Sequence, residues 1–282
     1  MAFETLDSFS IPGNPAKANE DAFAHRAGAA VVLDGATGLG EPLLPGESDA
    51  AWVSRFGANR LMAHLSDGAT ASAALKAALT DCERSFVGLR RRAPEQTYEI
   101  PFASMMLAVE SASGFDALWY GDCAALVKRG EEPAILIGEA FEKKAREREG
   151  AARLAAARGL APAAGINRPE FLSSLRKARN RVNTQSGGWL FGPDAKAADH
   201  VQMKRVAAAT GTHVLIASDG FLALVSEYER YDLDGLLAAV LSKGLAALGA
   251  EIRAIEDADP DGRRYPRFKK SDDATALLLR VV

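Results

Sequence analysis

Apolar residues along this chain form short runs near both ends and longer, spaced patterns between them. Asp21–Gly35 ("DAFAHRAGAAVVLDG") reads as two strands around a tight Ala-Gly turn. Pro101–Ser111 and Phe115–Gly130 follow as hairpin-like partners, and Glu132–Gly138 is a further short strand. Gly211–Gly220 and Asp273–Val282 complete the strand set. Helical spacing governs the segments between. Ser48–Leu65 opens on a Ser-Asp cap signal, and Thr70–Ala93 and Asp232–Ala258 carry the same period. Two successive helices between strands, followed by consecutive hairpins, predict an α+β fold with antiparallel sheets rather than a doubly wound parallel sheet.

One stretch breaks this pattern. From about residue 139 to 183 the chain is rich in Ala, Arg and Glu, is interrupted by "PAAGINRPE", and resumes as "FLSSLRKARNRV". Its apolar periodicity is too weak for a core of its own. It reads as a helical insertion lying over one edge of a single domain that spans residues 1–282. No internal repeat and no low-complexity linker divides the chain.

Composition narrows the function classes. The chain has 282 residues, 48% hydrophobic and 25% charged, with a formal net charge of −3. That balance gives no electrostatic case for nucleic acid. The N-terminus lacks a charged region followed by an apolar core, and no apolar run approaches the roughly 20 residues of a membrane helix. Cys82 and Cys123 are the only cysteines and form no CxxC pair, which argues against a disulfide framework or a zinc knuckle. A cytoplasmic protein without membrane or nucleic-acid partners is the expectation.

The chemistry lies in the acidic residues. Asp21, Asp34, Asp122, Asp219 and Asp272 each stand at the end of a strand-like segment. Aspartate there often only begins a turn or caps a helix. Strand ends from distant parts of a sheet protein can also converge at one rim, where carboxylates repel unless protonated or neutralised by cations. Oxygen donors without histidine or cysteine nearby favour hard ions such as Mg²⁺ or Mn²⁺. A pair of such ions activates water and clamps a phosphoryl oxygen.

In order along the chain, "NEDAF", "VVLDGATG", "LWYGDCAALV", "VLIASDGFLAL" and "DDATALLL" resemble the successive motifs of the metal-dependent protein phosphatases, the PPM or type 2C family. The resemblance runs from about Asn19 to the C-terminus and implies a four-layer α/β/β/α sandwich of two antiparallel sheets flanked by helices. It implies a phosphoserine/phosphothreonine phosphatase acting on phosphoproteins or phosphopeptides, through direct attack of water held between two Mn²⁺ or Mg²⁺ ions. Asp34 would bridge both metals, with the Gly35 carbonyl on the second; Asp219 and Asp272 would ligate the first. Glu20 and Asp21 would hold metal-bound waters. Asp122 would belong to a third, more weakly held ion, and Asp273 would stand behind the ligands. No protein nucleophile is needed, so Cys123 is expected to be a small packed residue.

Two departures stand out. Where many members place a phosphate-gripping arginine, this chain has Ala16, with Lys17 beside it. Lys17 is a candidate point-charge substitute, although a lysine lacks the fork of arginine. The basic run "RRYPRFKK" offers Arg267, Lys269 and Lys270 as further phosphate contacts, although such runs are usually solvated faces. "DGATG" replaces "DGHGG", so the histidine proposed as general acid in eukaryotic members is Ala36 here. His25, His64, His200 and His213 read as surface or packed residues, and Trp189 as packing for the insertion. The competing expectation is a phosphatase-fold module that has lost catalysis and binds a phosphoprotein or a regulatory partner.

Overall fold

In the third strand Val31 and Leu33 face one way and Ala30 and Val32 the other, and all four are fully buried. A strand covered on both faces must lie between two layers. The computed structural model, which describes residues 2–46, 48–66, 69–141, 149, 153, 156, 169–267 and 269–282, supplies both. The first sheet runs in the order β2 (Asp21–Arg26), β3 (Ala29–Gly35), β4 (Ala103–Ser111), β5 (Gly114–Tyr120), β8 (Gln202–Ala207). The second runs β1 (Phe3–Ile11), β10 (Ala274–Val281), β9 (His213–Ala217), β6 (Ala124–Lys128), β7 (Ile135–Ile137). Every neighbouring pair is antiparallel.

Three apolar layers follow from the alternation. Between the sheets lie Val32, Met106, Phe115, Val127, Ile216 and Leu277 with their neighbours. Outside the first sheet, Val31, Leu33, Met105 and Leu118 meet helices α1 (Asp49–Ser66) and α2 (Ala71–Leu89). Outside the second, Leu126, Leu215 and Leu278 meet α4 (Asp219–Ser226), α5 (Leu233–Lys243) and α6 (Leu245–Ala258). The result is the four-layer α/β/β/α sandwich, an α+β fold. Among the described residues no single helix is long and apolar enough to cross a membrane.

Three details differ from the sequence reading. Strands β1 and β8 lie at sheet edges and carry exposed polar side chains, so neither shows a clean apolar alternation. Asp219 does not end a strand: β9 stops at Ala217, and Asp219 opens α4 after Ser218 as N-cap. The long C-terminal helical pattern divides at Gly244, whose φ of 82° is open to glycine, and α5 and α6 meet there at 118°. Of the insertion at 139–183, residues 142–148, 150–152, 154–155 and 157–168 lie outside the described residues. Its described helix, α3 (Pro169–Arg179), packs near the segment Thr97–Glu99.

Candidate active site

Strand register brings the first acidic residues together. Asp21 opens β2 directly across from Asp34 near the end of β3, and Asp34 in turn faces Ser104 on β4. Asp122 follows β5 by two residues, and its carboxylate accepts a hydrogen bond from the Ser104 hydroxyl. The second sheet contributes Asp219, two residues past β9, and Asp272, two residues before β10. Ser218 joins the sheets, because its hydroxyl donates to Asp21 Oδ2 at 2.8 Å while its backbone N–H donates to Thr275 O at 3.0 Å.

Close backbone approach explains both Asp-Gly pairs. A Cβ on Gly35 would lie 2.5 Å from Glu20 O and 2.6 Å from Ala50 O. A Cβ on Gly220 would lie 2.0 Å from Asp273 O. Each glycine therefore lets another chain segment press against the residue next to a carboxylate. Asp273 completes the frame: its carboxylate accepts from Gly13 N at 2.7 Å and Glu20 N at 2.6 Å, tying the Glu20-Asp21 segment to the start of β10. Arg253 donates to Asp272 O at 2.7 Å and ion-pairs with Glu256 at 2.6 Å.

The cluster is electrostatically strained. Burial, followed by the charges of Asp21, Asp219, Asp122 and Asp272, pushes the Asp34 carboxyl well above the ordinary carboxylate range. Burial also raises Asp21; the Ser218 hydrogen bond offsets part of this, and Asp273 and Asp272 add to it. Asp21 is only 4% exposed, and its Oδ1 is buried without a hydrogen-bond partner. Cys123 is fully buried, and burial together with the nearby carboxylates pushes its thiol up, which removes it as a nucleophile.

A cleft of about 960 Å³ opens onto Asp34, Gly35, Asp122, Asp219 and Asp272. An adjoining cleft of about 1560 Å³ includes Lys17, Glu20 and Lys270. Glu20 faces inward, accepting from Thr37 Oγ1 at 2.5 Å and Ser48 Oγ at 2.6 Å. Of the seven positions anticipated from sequence, Asp34, Gly35, Asp122, Asp219 and Asp272 line the first cleft, Glu20 lines the second, and Asp21 is buried across from Asp34. The donor set is all oxygen, repels itself and contains an orphaned carboxylate oxygen, which is chemistry suited to hard cations. Among the described residues, no three Asp, Glu, His or Cys side chains already converge as a group that could hold a metal ion.

The basic residues divide into separate roles. Arg267 is 8% exposed, and its five N–H donors are all engaged by Lys270 O, Asp259 Oδ2, Tyr265 O, Glu256 O and Asp259 O. It locks the loop before β10 and has no donor left for a phosphate. Lys270 is exposed and pairs with Asp257 at 2.7 Å. Lys17 is exposed, on the rim of the second cleft. Lys269 enters the acidic cluster itself, with Nζ 2.8 Å from Asp272 Oδ1 and 3.2 Å from Thr37 Oγ1. Burial opposes its charge, but Asp272 foremost, then Asp34 and Glu20, push its pKa up.

Several residues bordering the site carry no sequence signal of their own. Arg179 on α3 donates to Ala36 O and Thr37 O, both at 3.4 Å, and Arg176 donates to Leu39 O at 2.8 Å. Those contacts cross 137 or more residues, so spacing could not reveal them. Ser218 and Thr37 were closer to legible, since they sit one and three residues from Asp219 and Asp34. Trp189 stacks on His200 with ring centroids 3.7 Å apart, forming part of the cleft wall.

No family model matches this sequence, and no curated protein matches it in sequence. Solved structures match it in fold. The catalytic domain of the serine/threonine protein phosphatase PstP, in complex with two manganese ions, aligns over 100% of this chain and 99% of its own, with a TM-score of 0.57 and 16% identity. The PPM Ser/Thr phosphatase MsPP from Mycobacterium smegmatis, in complex with cacodylate, aligns over 99% and 100%, with a TM-score of 0.57 and 15% identity. The serine/threonine phosphatase Stp1 from Staphylococcus aureus aligns over 99% and 96%, with a TM-score of 0.56 and 14% identity. The chain has the fold of the PPM phosphatases.

Proposed function

We propose that this chain is a PPM-type phosphatase that uses Mn²⁺ or Mg²⁺ to hydrolyse phosphoserine and phosphothreonine esters on proteins. The observation that carries this reading is the placement of Asp34, flanked by Asp21, Asp122, Asp219 and Asp272 from both sheets. Two divalent ions, when bound, supply positive charge that acidifies water and neutralises charge developing on a phosphoryl group. Asp34, the Gly35 carbonyl, Asp219 and Asp272 would hold them, with Asp122 available to a third. Glu20 and Asp21 would accept hydrogen bonds from water in the site, and Ser218 and Asp273 keep that pair in place. Water would be the nucleophile, as the family resemblance implies, and the buried Cys123 takes no part.

One observation favours the second reading, a phosphatase-fold module that binds a phosphoprotein without turning it over. The ammonium of Lys269 already stands against Asp272. Hydrolysis of p-nitrophenyl phosphate with Mn²⁺, Mg²⁺ or EDTA, in wild type and Asp219→Asn, separates the two. The phosphatase reading expects turnover that needs metal. Loss of Asp219 should reduce it by more than the roughly 10–100-fold typical of residues behind the ligands. Folded protein without turnover under any metal supports the binding module.

A further inference from the structure

Lys269 is held as part of a built arrangement. Arg267, two residues before it, is buried with every donor engaged, and Lys270, immediately after it, has its carbonyl bound by Arg267 Nε at 2.8 Å and its ammonium by Asp257 at 2.7 Å. The chain is therefore anchored on both sides of Lys269. Asp272 is anchored too, through Arg253 on its carbonyl at 2.7 Å. Between these fixed points the ammonium reaches Asp272 Oδ1 at 2.8 Å and Thr37 Oγ1 at 3.2 Å. The same Thr37 hydroxyl donates to Glu20 at 2.5 Å. The lysine thus connects the acidic residue before β10 to the loop after β3.

We propose that Lys269 is the built-in counter-cation of the acidic cluster, which a divalent ion must displace from Asp272, so that this side chain sets the metal affinity of the site. The inference rests on the metal-dependent reading above. A carboxylate oxygen coordinating Mg²⁺ at about 2.0–2.1 Å cannot keep an ammonium at hydrogen-bond distance without bringing two positive groups into close repulsion. Without metal, the same ammonium offsets part of the repulsion among Asp34, Asp272 and Glu20. The backbone anchors leave the side chain alone to move. Removing its charge should therefore strengthen metal binding and weaken the metal-free protein.

Calorimetric titration of Mn²⁺ into wild type, Lys269→Met and Lys269→Arg, paired with thermal unfolding in EDTA, tests this. Lys269→Met should bind Mn²⁺ about 10-fold more tightly. It should also unfold at a lower temperature than wild type in EDTA, with the gap closing at saturating Mn²⁺. Lys269→Arg keeps the charge and should stay near wild type in both measurements. In an Asp272→Asn background the gain from the Met substitution should shrink, because the carboxylate that the ammonium touches is gone and only Asp34 and Glu20 remain. If Lys269→Met does not fold, Lys269→Gln removes the charge while keeping a donor for Thr37, and carries the same expectation. Unchanged or weaker Mn²⁺ affinity in the neutral variant, with clear binding heat, overturns the proposal. A flat titration in wild type and variant alike overturns the metal reading itself, and the absence of any heat tells that failure apart.

Discussion

A Cβ placed on Gly220 would sit 2.0 Å from a backbone carbonyl oxygen, that of Asp273, and backbone cannot swing aside as a side chain can. Gly220→Ala should therefore push the start of α4 away from the entry to β10 and part Asp219 from Asp272. Overpacking of this kind destabilises by about 1–3 kcal/mol, with the upper end expected here. Urea unfolding would measure that loss, and Mn²⁺ titration of the still-folded fraction would show weakened binding. The Asp-Gly pairs were legible in the sequence as punctuation after apolar runs. The family resemblance implies a metal-facing carbonyl for Gly35 alone, and the structure adds a packing reason for both glycines. The basic run before Asp272 was legible only as charge. That Arg267 is buried, Lys270 exposed and Lys269 turned into the cluster depends on partners such as Asp259 and Thr37 that no local pattern names.

At the scale of elements, the loop after β3 is steadied by α3 from one side and by the segment before β4 from the other. Tyr98 N donates to Asn180 Oδ1 at 2.8 Å, and Arg176 lies over the Tyr98 ring at 4.7 Å. That segment is closed by Glu99, whose carboxylate accepts from Arg92 at 2.5 Å and Glu95 N at 2.6 Å. The Arg92 hydrogen bond foremost, against a burial effect and with backbone donors from Glu95 and Gln96, lowers the Glu99 pKa to about 2. A depressed carboxylate stabilises the fold fully above its unfolded pKa and loses that contribution as pH falls through the folded value. Glu99→Gln should thus lower stability at pH 7 by about 1 kcal/mol, a figure discounted for the half-exposed Arg92. The difference should shrink below about pH 4.3, which urea unfolding at pH 7 and pH 3 would record. Central strands such as β3 and β4 could be read from sequence because both faces are buried. Edge strands β2 and β7 were legible as well, whereas β1 and β8 were not, because an edge needs only backbone pairing and these two carry Glu4, Asp7, Lys204 and Arg205.

Across the whole molecule, the sandwich brings carboxylates from residues 20 to 272 to one region, and that convergence has a thermodynamic sign. Because burial and neighbouring charges raise Asp34 and Asp21, the metal-free folded state holds protons that the unfolded chain releases. Stability from these groups then falls as pH rises from the ordinary carboxylate range through the raised folded values. Asp34→Asn removes one charge from the centre of the repulsion while keeping its shape. In EDTA at pH 7.5 it should unfold at a higher temperature than wild type, by about 1 kcal/mol of added stability. Its metal-free stability should also change less as pH rises above the ordinary carboxylate range. Mn²⁺ should reverse the order. An ion binding only the folded state adds about 2.7 kcal/mol at 100 times its dissociation constant, and the variant lacking the central carboxylate should gain much less. Thermal unfolding of both proteins, with and without Mn²⁺, reads all of this directly. If wild type were the more stable protein in EDTA, the acidic cluster would be a settled structural network rather than a site held in tension for a cation.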